Sequence, residues 1–343
     1  MHFSSRAPRP CGFAIAAICT LSCATASLVL SAQPQTNSLA LVSTAWPPFT
    51  DAPGQPRFAL DLVDAALGRI GVTAKTTIVS AAEFTPSLLS GRFDGSAAVW
   101  KDAERERVLI FSQPYLENRL VLIARRGVDV SARSLADLKG KRVAIVQGYS
   151  YGDAIDNAGP AFVRSSSEED SLARLLNGGV DYTLMDELVV EYILNNYPKE
   201  SAMRLQIGSM PLLTRELFFA VRRSRPDAQS IVSRFNAQLR GMMADRTYHR
   251  LLHVNWIRAD IDNDGRPEFV PANDRVGPSA PQHVYTLFSA PQTSSEKTTT
   301  QPGFYLGGNI YTDWASVPEN YKVSNSDAPD PRRSTASIFT FRW

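Results

Sequence analysis

Several groupings in this 343-residue chain have the residue types and spacing for chemistry. Arg105 stands in the charged run Lys101-Asp102-Ala103-Glu104-Arg105-Glu106-Arg107, six residues before Phe111-Ser112. A guanidinium offers a planar two-donor fork matched to a carboxylate, which a lysine does not replace. Taken by itself, the same residue is one charge on a solvated face. Asp186 follows the apolar segment Tyr182-Thr183-Leu184-Met185. An acid at the carboxyl end of an α/β strand faces the crevice where ligands bind, or else caps the helix that follows. Glu187 beside it offers a second carboxylate. Ser150 lies just past a strand that ends at Val146, where backbone N–H groups form an anion seat and a hydroxyl serves as a helix cap. Trp46, next to Pro47 and Pro48, has a flat ring that either covers a ligand or packs in the core.

A second grouping is the segment from Asp260 to Glu268. Asp260, Asp262, Asp264 and Glu268 occupy positions 1, 3, 5 and 9, and Gly265 occupies position 6. Alternate acids direct several oxygens inward and the glycine permits a sharp turn, as a calcium loop requires. Position 12 is Pro271, so the bidentate glutamate of an EF-hand is missing. With Phe269-Val270 the segment looks more like the calcium loops of FG-GAP-type repeats. Calcium is expected there in a structural role, and no other cofactor is required. His249 and His253 have zinc-compatible spacing on a helix, but the acidic residue of a metalloprotease motif does not accompany them.

These groups need elements to hold them. Leu39 to Ala45 reads as a buried strand stopped by the two prolines. Phe58, Leu62, Val63, Ala66, Leu67 and Ile70 follow helical spacing, and Gly71 ends the run. A second helix fits Ala82 to Leu89, and Gly95 to Trp100 reads as a strand. Lys101 to Arg107 reads as a charged loop or turn, and Leu120 to Ala124 and Val143 to Val146 as strands. Ser167 with Asp170 starts a helix through Leu176. Asp181 to Met185 is a strand and Leu188 to Asn195 a helix. Leu205 to Leu213 is extended, Leu217 to Val221 is a crossing strand, and Pro226 to Trp256 is a broken helical region. This alternation is the α/β pattern, with mostly parallel strands in each lobe.

Composition narrows the function classes. Hydrophobic residues at 44% and charged residues at 20% fit a globular chain and exclude global disorder. A net charge of +2 gives no electrostatic case for a nucleic-acid partner. Arg6 and Arg9 precede an apolar run from Cys11 to Leu30, and Ser31-Ala32-Gln33 turns polar, the order of a secretory signal peptide over residues 1–32. All three cysteines (Cys11, Cys19, Cys23) lie in that run, so its removal leaves a cysteine-free protein suited to an oxidising compartment. Residues 272–303 are rich in Pro, Ser, Thr and Gln, and residues 304–343 are aromatic-rich without periodic apolar runs. Residues 257–343 therefore read as an appended tail.

The ordered landmarks are Trp46-Pro47-Pro48-Phe49, Leu89-Ser90-Gly91-Arg92-Phe93-Asp94, Glu104-Arg105 and Phe111-Ser112-Gln113-Pro114-Tyr115. They continue with Val146-Gln147-Gly148, Leu176-Asn177-Gly178-Gly179-Val180-Asp181 and Asp186. In this order they resemble the family 3 extracellular solute-binding proteins of ABC importers, over about residues 39–256. The resemblance implies a type II periplasmic-binding-protein fold: two α/β lobes joined by two crossing strands, with a ligand cleft between them. One lobe would comprise 37–124 and 215–256, the other 125–214, with 257–343 as a C-terminal extension. It also implies that Arg105 grips the ligand carboxylate, that Ser150 meets the same carboxylate from the other lobe, and that Asp186 pairs with the α-ammonium. Trp46 takes a position that is often tyrosine in the family. Trp100, Ala97, Ala98 and Asp102 depart from small or hydroxyl residues, so Ala98 and Trp100 would contribute backbone contacts to a smaller, more aromatic pocket.

The resemblance implies a periplasmic, monomeric protein that captures a small amino-acid-like solute for an inner-membrane ABC permease, without bond chemistry. Two other classes fit the same fold. One is a periplasmic sensor or accessory module whose tail aromatics (among them Phe304, Tyr305, Tyr311, Trp314, Tyr321, Phe339, Phe341 and Trp343) dock a partner. The other is a dehydratase, for which Glu187 is the nearest candidate proton shuttle.

Overall fold

The computed structural model describes residues 37–152, 155, 158–281, 284–287 and 302–323. The leader over 1–32 with its three cysteines, His283, and the tail aromatics Phe339, Phe341 and Trp343 lie outside the described residues.

The first lobe starts with β1 (Ser38–Thr44), whose alternate residues feed two cores. Leu39 and Leu41 join the main cluster, while Val42 packs with Phe84, Leu88, Phe93 and Val99 on the other face. A strand covered on both faces is apolar nearly throughout. Helix α1 (Phe58–Arg69) buries Leu62, Val63, Ala66 and Leu67 of the stripe that the helical spacing predicts, and also Ala59 and Leu60, while Phe58 is only partly buried. Strand β2 (Thr73–Val79) pairs in parallel with β1 at the sheet edge, where half-exposed alternation in Thr-Ala-Lys-Thr-Thr-Ile-Val hides it from an apolar-run search. Helix α2 (Ala81–Leu89) begins with a capping box between Ser80 and Glu83. Strand β3 (Gly95–Trp100) is buried along its whole length.

The charged run after β3 differs from the sequence expectation. It is helical from Ala103 to Val108 (α3), with Asp102 accepting the Arg105 N–H as its N-cap. A six-residue helix with one buried side chain carries too little apolar periodicity to announce itself. Strands β4 (Leu109–Phe111) and β5 (Leu116–Arg125) follow, and β5 passes into the second lobe.

The second lobe contains β6 (Arg142–Val146), β7 (Ala161–Ser165), α4 (Glu168–Leu176), β8 (Tyr182–Asp186), α5 (Glu187–Asn196) and α6 (Pro198–Arg204). The chain returns through β9 (Leu205–Arg222), one 18-residue strand where the sequence reads as two segments. Helices α7 (Ala228–Ala244) and α8 (Thr247–Leu252) close the first lobe.

The sheet runs β2-β1-β3-β9-β5-β8-β6-β7, with β4 also on β9. Pairings of β1 with β2 and β3, and of β6 with β7 and β8, are parallel. The antiparallel pair β5–β9 carries the chain across, with register shifts at Leu120/Val121 and Val121/Ile123 where the sheet bends.

The extension forms a separate five-stranded sheet of β10 (Trp256–Ala259), β11 (Glu268–Pro271), β12 (Tyr285–Thr286), β13 (Phe304–Leu306) and β14 (Asn309–Tyr311). Strand β10 straddles the boundary drawn from sequence at residue 257. Phe304, Leu306, Val276 and Val317 form a small core, with Trp256, Phe269, Tyr311, Trp314 and Tyr321 packed on it. Of the described tail aromatics, Phe304, Tyr311, Trp314 and Tyr321 pack in this local core, while Tyr285 and Tyr305 pack against the main core of the lobes. Tyr285 reaches back to the crossing strand, where its hydroxyl donates to Glu117 O and accepts from Glu117 N at 2.9 Å.

Candidate functional site

A cavity of about 30 Å³ lies between the lobes, lined by Trp46, Ala98, Trp100, Arg105, Tyr149 and Ser150 among others. Five of the six ligand residues anticipated from sequence thus converge on one place. They arrive on four different segments. Trp46 sits just past β1 in a turn closed by Trp46 N to Thr50 O at 2.7 Å and Thr50 N to Trp46 O at 3.0 Å. Ala98 and Trp100 come from β3, Arg105 from α3, and Tyr149 and Ser150 from the loop after β6.

Arg105 is only 3% exposed. It donates to Trp100 O at 2.8 Å and to Thr85 Oγ1 at 2.8 Å on its own lobe, and to Gly148 O at 3.4 Å on the other. Asp102 lies 3.4 Å from its Nε, and its guanidinium stands over the Phe84 ring at 5.6 Å. Burial lowers its pKa from the ordinary arginine value, with Asp102 opposing. It remains a cation, because arginine is not deprotonated in proteins.

The rest of the cleft is aromatic. Trp46 lies 4.3 Å from Phe49, 5.7 Å from Trp100 and 5.5 Å from Tyr149, measured between ring centroids. Trp100 also meets Tyr149 at 5.5 Å and Tyr151 at 5.3 Å. Apart from the tilted Trp46–Phe49 pair these contacts are edge-to-face, the arrangement that ring quadrupoles favour. Arg215 stands over the Trp100 ring at 5.9 Å and donates to Lys101 O at 2.7 Å.

Asp186 does not line this cavity. It is 1% exposed and sits behind Trp100. The Trp100 indole donates to Asn118 Oδ1 at 2.7 Å, and Asn118 Nδ2 donates to Asp186 Oδ2 at 3.0 Å. Arg119 N donates to the same oxygen at 3.1 Å, and Leu188 N to Oδ1 at 2.8 Å, so Asp186 also caps α5. Burial pushes its pKa up to about 7 against these hydrogen bonds. Glu187 is tied to Arg119 at 3.1 Å.

Sequence reasoning missed four participants: Thr85, Asn118, Tyr149 and Glu168. Glu168 is the first residue of α4, and its Oε2 is buried without a hydrogen-bond partner. The Trp46 indole Nε1, also buried, faces it and holds its pKa down somewhat, yet the two do not complete a hydrogen bond. Burial, reinforced by the Asp186 charge, nevertheless raises Glu168 to about 8.

In the extension, ligand oxygens of Asp260, Asp262 and Glu268 lie within 4.8 Å of one another. Asp264 is turned differently: its N–H donates to Asp260 and Asp262, both at 3.1 Å, while its own carboxylate accepts from Arg266 N at 2.7 Å. Gly265 has φ +85°, which permits the turn. Burial, with the three aspartates nearby, raises Glu268 to about 7.

Residues 40–258 match the bacterial extracellular solute-binding proteins, family 3. The chain is 26% identical over 216 residues to the ABC transporter arginine-binding protein 1 of Escherichia coli (strain K12), covering 61% of this chain and 86% of that protein. Among solved structures, an ancestral arginine-binding protein bound to arginine superposes with a TM-score of 0.53 at 25% identity, over 63% of this chain and 97% of that one. The virulence sensor protein BvgS of Bordetella pertussis (strain Tohama I) is 26% identical over 155 residues, 44% of this chain and 12% of the sensor. Among the described residues no helix is long and apolar enough to cross a membrane.

Proposed function

The chain belongs to the bacterial extracellular solute-binding proteins of family 3, and from that premise we propose that it captures a small amino-acid-like zwitterion between its lobes and hands it to an ABC permease from the periplasm. The observation that carries this reading is the buried guanidinium of Arg105 on the cavity wall, with donors already aimed across the cleft. A carboxylate entering there would replace the Thr85 hydroxyl and Gly148 carbonyl as partner of the arginine fork, exchanging neutral acceptors for a charged one. The arginine-binding relatives support the solute class. A ligand touching both lobes stabilises closure by its differential affinity for the closed state, and no bond need break.

Calorimetric titration of the protein with L-arginine, L-glutamine and glycine tests the reading. Binding of at least one zwitterion is expected, and Arg105→Ala should weaken it by roughly 30-fold or more, since removing one partner of a buried charged contact costs about 2–5 kcal/mol. Arg105→Lys, which keeps the charge without the fork, should also lose affinity. Unchanged affinity in both variants would remove Arg105 from the site.

The sensor reading is kept as the alternative because the extension holds the crossing strand through Tyr285 and Glu117, which ties a separate sheet to the connection between the lobes. We also propose that Asp260, Asp262 and Glu268 hold a structural calcium ion, supported by the convergence of their oxygens.

A further inference from the structure

We propose that Tyr285 of the extension is a positioning residue of the solute site, gripping the crossing strand β5 where it carries Asn118. This assignment rests on the zwitterion reading above and adds the extension to the site that reading describes. The Tyr285 hydroxyl donates to Glu117 O and accepts from Glu117 N at 2.9 Å, filling the edge of β5 just before β8 begins to pair at Leu120. Burial, and then the neighbouring Tyr248 and Asp186, raise the pKa of this hydroxyl, so it keeps the proton that it donates. Tyr285 is itself firmly mounted. Strand β12 pairs in parallel with β10, placing Tyr285 beside Ile257, and Leu287 N donates to Arg258 O at 2.9 Å. Strand β11 of the same sheet is anchored to α8 of the first lobe, where His249 Nε2 lies 2.9 Å from Val270 O.

Glu117 O and the Asn118 N–H belong to one planar peptide unit, so a bond to that oxygen sets the direction in which Asn118 leaves the strand. Asn118 is fully buried and joins the two lobes. Its Oδ1 accepts from the Trp100 indole at 2.7 Å on the first lobe, and its Nδ2 donates to Asp186 Oδ2 at 3.0 Å on the second. The next residue, Arg119, donates its N–H to the same oxygen at 3.1 Å. Trp100 lines the cavity with Arg105, and the family resemblance gives Asp186 to the ligand ammonium. The peptide that Tyr285 holds therefore leads directly into the side chain that places both groups. The lobes are joined by β5 and β9, so any opening is absorbed in the backbone angles of these strands. A grip on the Glu117 peptide that fits the present arrangement favours it over a more open one, and solute affinity gains by that difference.

The test is calorimetric titration of the full chain with L-arginine, L-glutamine and glycine in wild type, Tyr285→Phe and Tyr311→Phe, each first shown to be folded by circular dichroism. Tyr285→Phe keeps the ring and removes the hydroxyl that meets Glu117. It should weaken binding of whichever zwitterion wild type takes by roughly 2- to 10-fold, the worth of one such hydrogen bond, at unchanged stoichiometry. A tyrosine that merely supports the fold would instead lower the fraction of protein able to bind, so stoichiometry would fall at unchanged affinity. Tyr311→Phe, on a ring that lies against Tyr321 in the extension's own core, should bind like wild type. Hydrogen exchange of the solute-free protein should quicken in Tyr285→Phe along β5 and at Leu188, whose N–H is held by Asp186. Wild-type affinity or wild-type exchange in Tyr285→Phe, a loss confined to stoichiometry, or an equal loss in Tyr311→Phe overturns the assignment while leaving the zwitterion reading in place. A wild-type protein that binds none of these solutes overturns both.

Discussion

Glu168 and Asp186 keep their protons to a pH at which exposed carboxyls have long lost theirs, and this has a sign in stability. Both have folded-state pKa values raised above their ordinary ones, to about 8 and about 7. The folded protein therefore binds more protons than the unfolded chain between about pH 4 and those values, and stability falls as pH rises through that window. His249, lowered to about 4 by burial, acts the other way below about pH 6.5. Above that pH the two acids dominate, joined by Glu268. From about pH 6.5 to about pH 8 Glu168 alone should cost roughly 2 kcal/mol. Thermal melts across this range should show the melting temperature of wild type falling by several degrees, and that of Glu168→Gln falling less. Equal slopes would mean that Glu168 titrates normally. At this scale the sequence was readable for Arg105, because a guanidinium in register with a family landmark has a defined role. Glu168 was not readable, because Ser166-Ser167-Glu168-Glu169-Asp170 has the composition of any acidic helix start. Only the packing of α4 shows that its first residue is turned toward Trp46.

The extension's hairpin shows what an element adds to its residues. Strands β10 and β11 pair antiparallel from Trp256–Pro271 to Ala259–Glu268, and this brings Glu268 back beside Asp260. Glu268 is buried at 3% exposure, and one of its oxygens accepts from Ile261 N at 3.2 Å. Calcium at about 100 times its dissociation constant should then add roughly 2.7 kcal/mol. In chelator-treated protein, added calcium should raise the melting temperature, and Asp262→Ala should abolish the rise. No rise in wild type would show the loop to be a self-bonded turn. The sequence placed these acids by spacing, and the spacing holds for Asp260, Asp262 and Glu268, while Asp264 spends its carboxylate on the Arg266 N–H. Elements with a buried apolar stripe, such as α1 and β3, were legible. Strand β9 read as two pieces because Pro211, Thr214, Arg215 and Glu216 interrupt its apolar pattern where it crosses between the lobes and is only partly buried.

Closure of the whole molecule depends on how near the two lobes come, and Gly148 marks the approach. It has φ +83°, and a Cβ there would lie 2.5 Å from Ala81 O, the first residue of α2 on the opposite lobe. Backbone on both sides leaves no flexible side chain to yield. Gly148→Ala should therefore disfavour this closed arrangement, apart from the strain that any alanine suffers at positive φ. Gly127→Ala separates the two effects, because Gly127 has φ +82° and open space around its Cβ position. Both variants should melt at similarly lowered temperatures. Only Gly148→Ala should show a larger radius of gyration by small-angle X-ray scattering and weaker L-arginine binding, because a smaller closed fraction lowers apparent affinity in proportion. None of this is legible in the sequence, since Val146-Gln147-Gly148 reads as a turn whatever it faces, and the carbonyl it meets belongs to Ala81, far away along the chain. A Gly148→Ala protein with wild-type dimensions and affinity would show that the lobes work at a wider separation than this one. In that case Arg105 would meet the solute without its cross-cleft contact to Gly148 O, and the aromatic wall alone would bring the second lobe to the ligand.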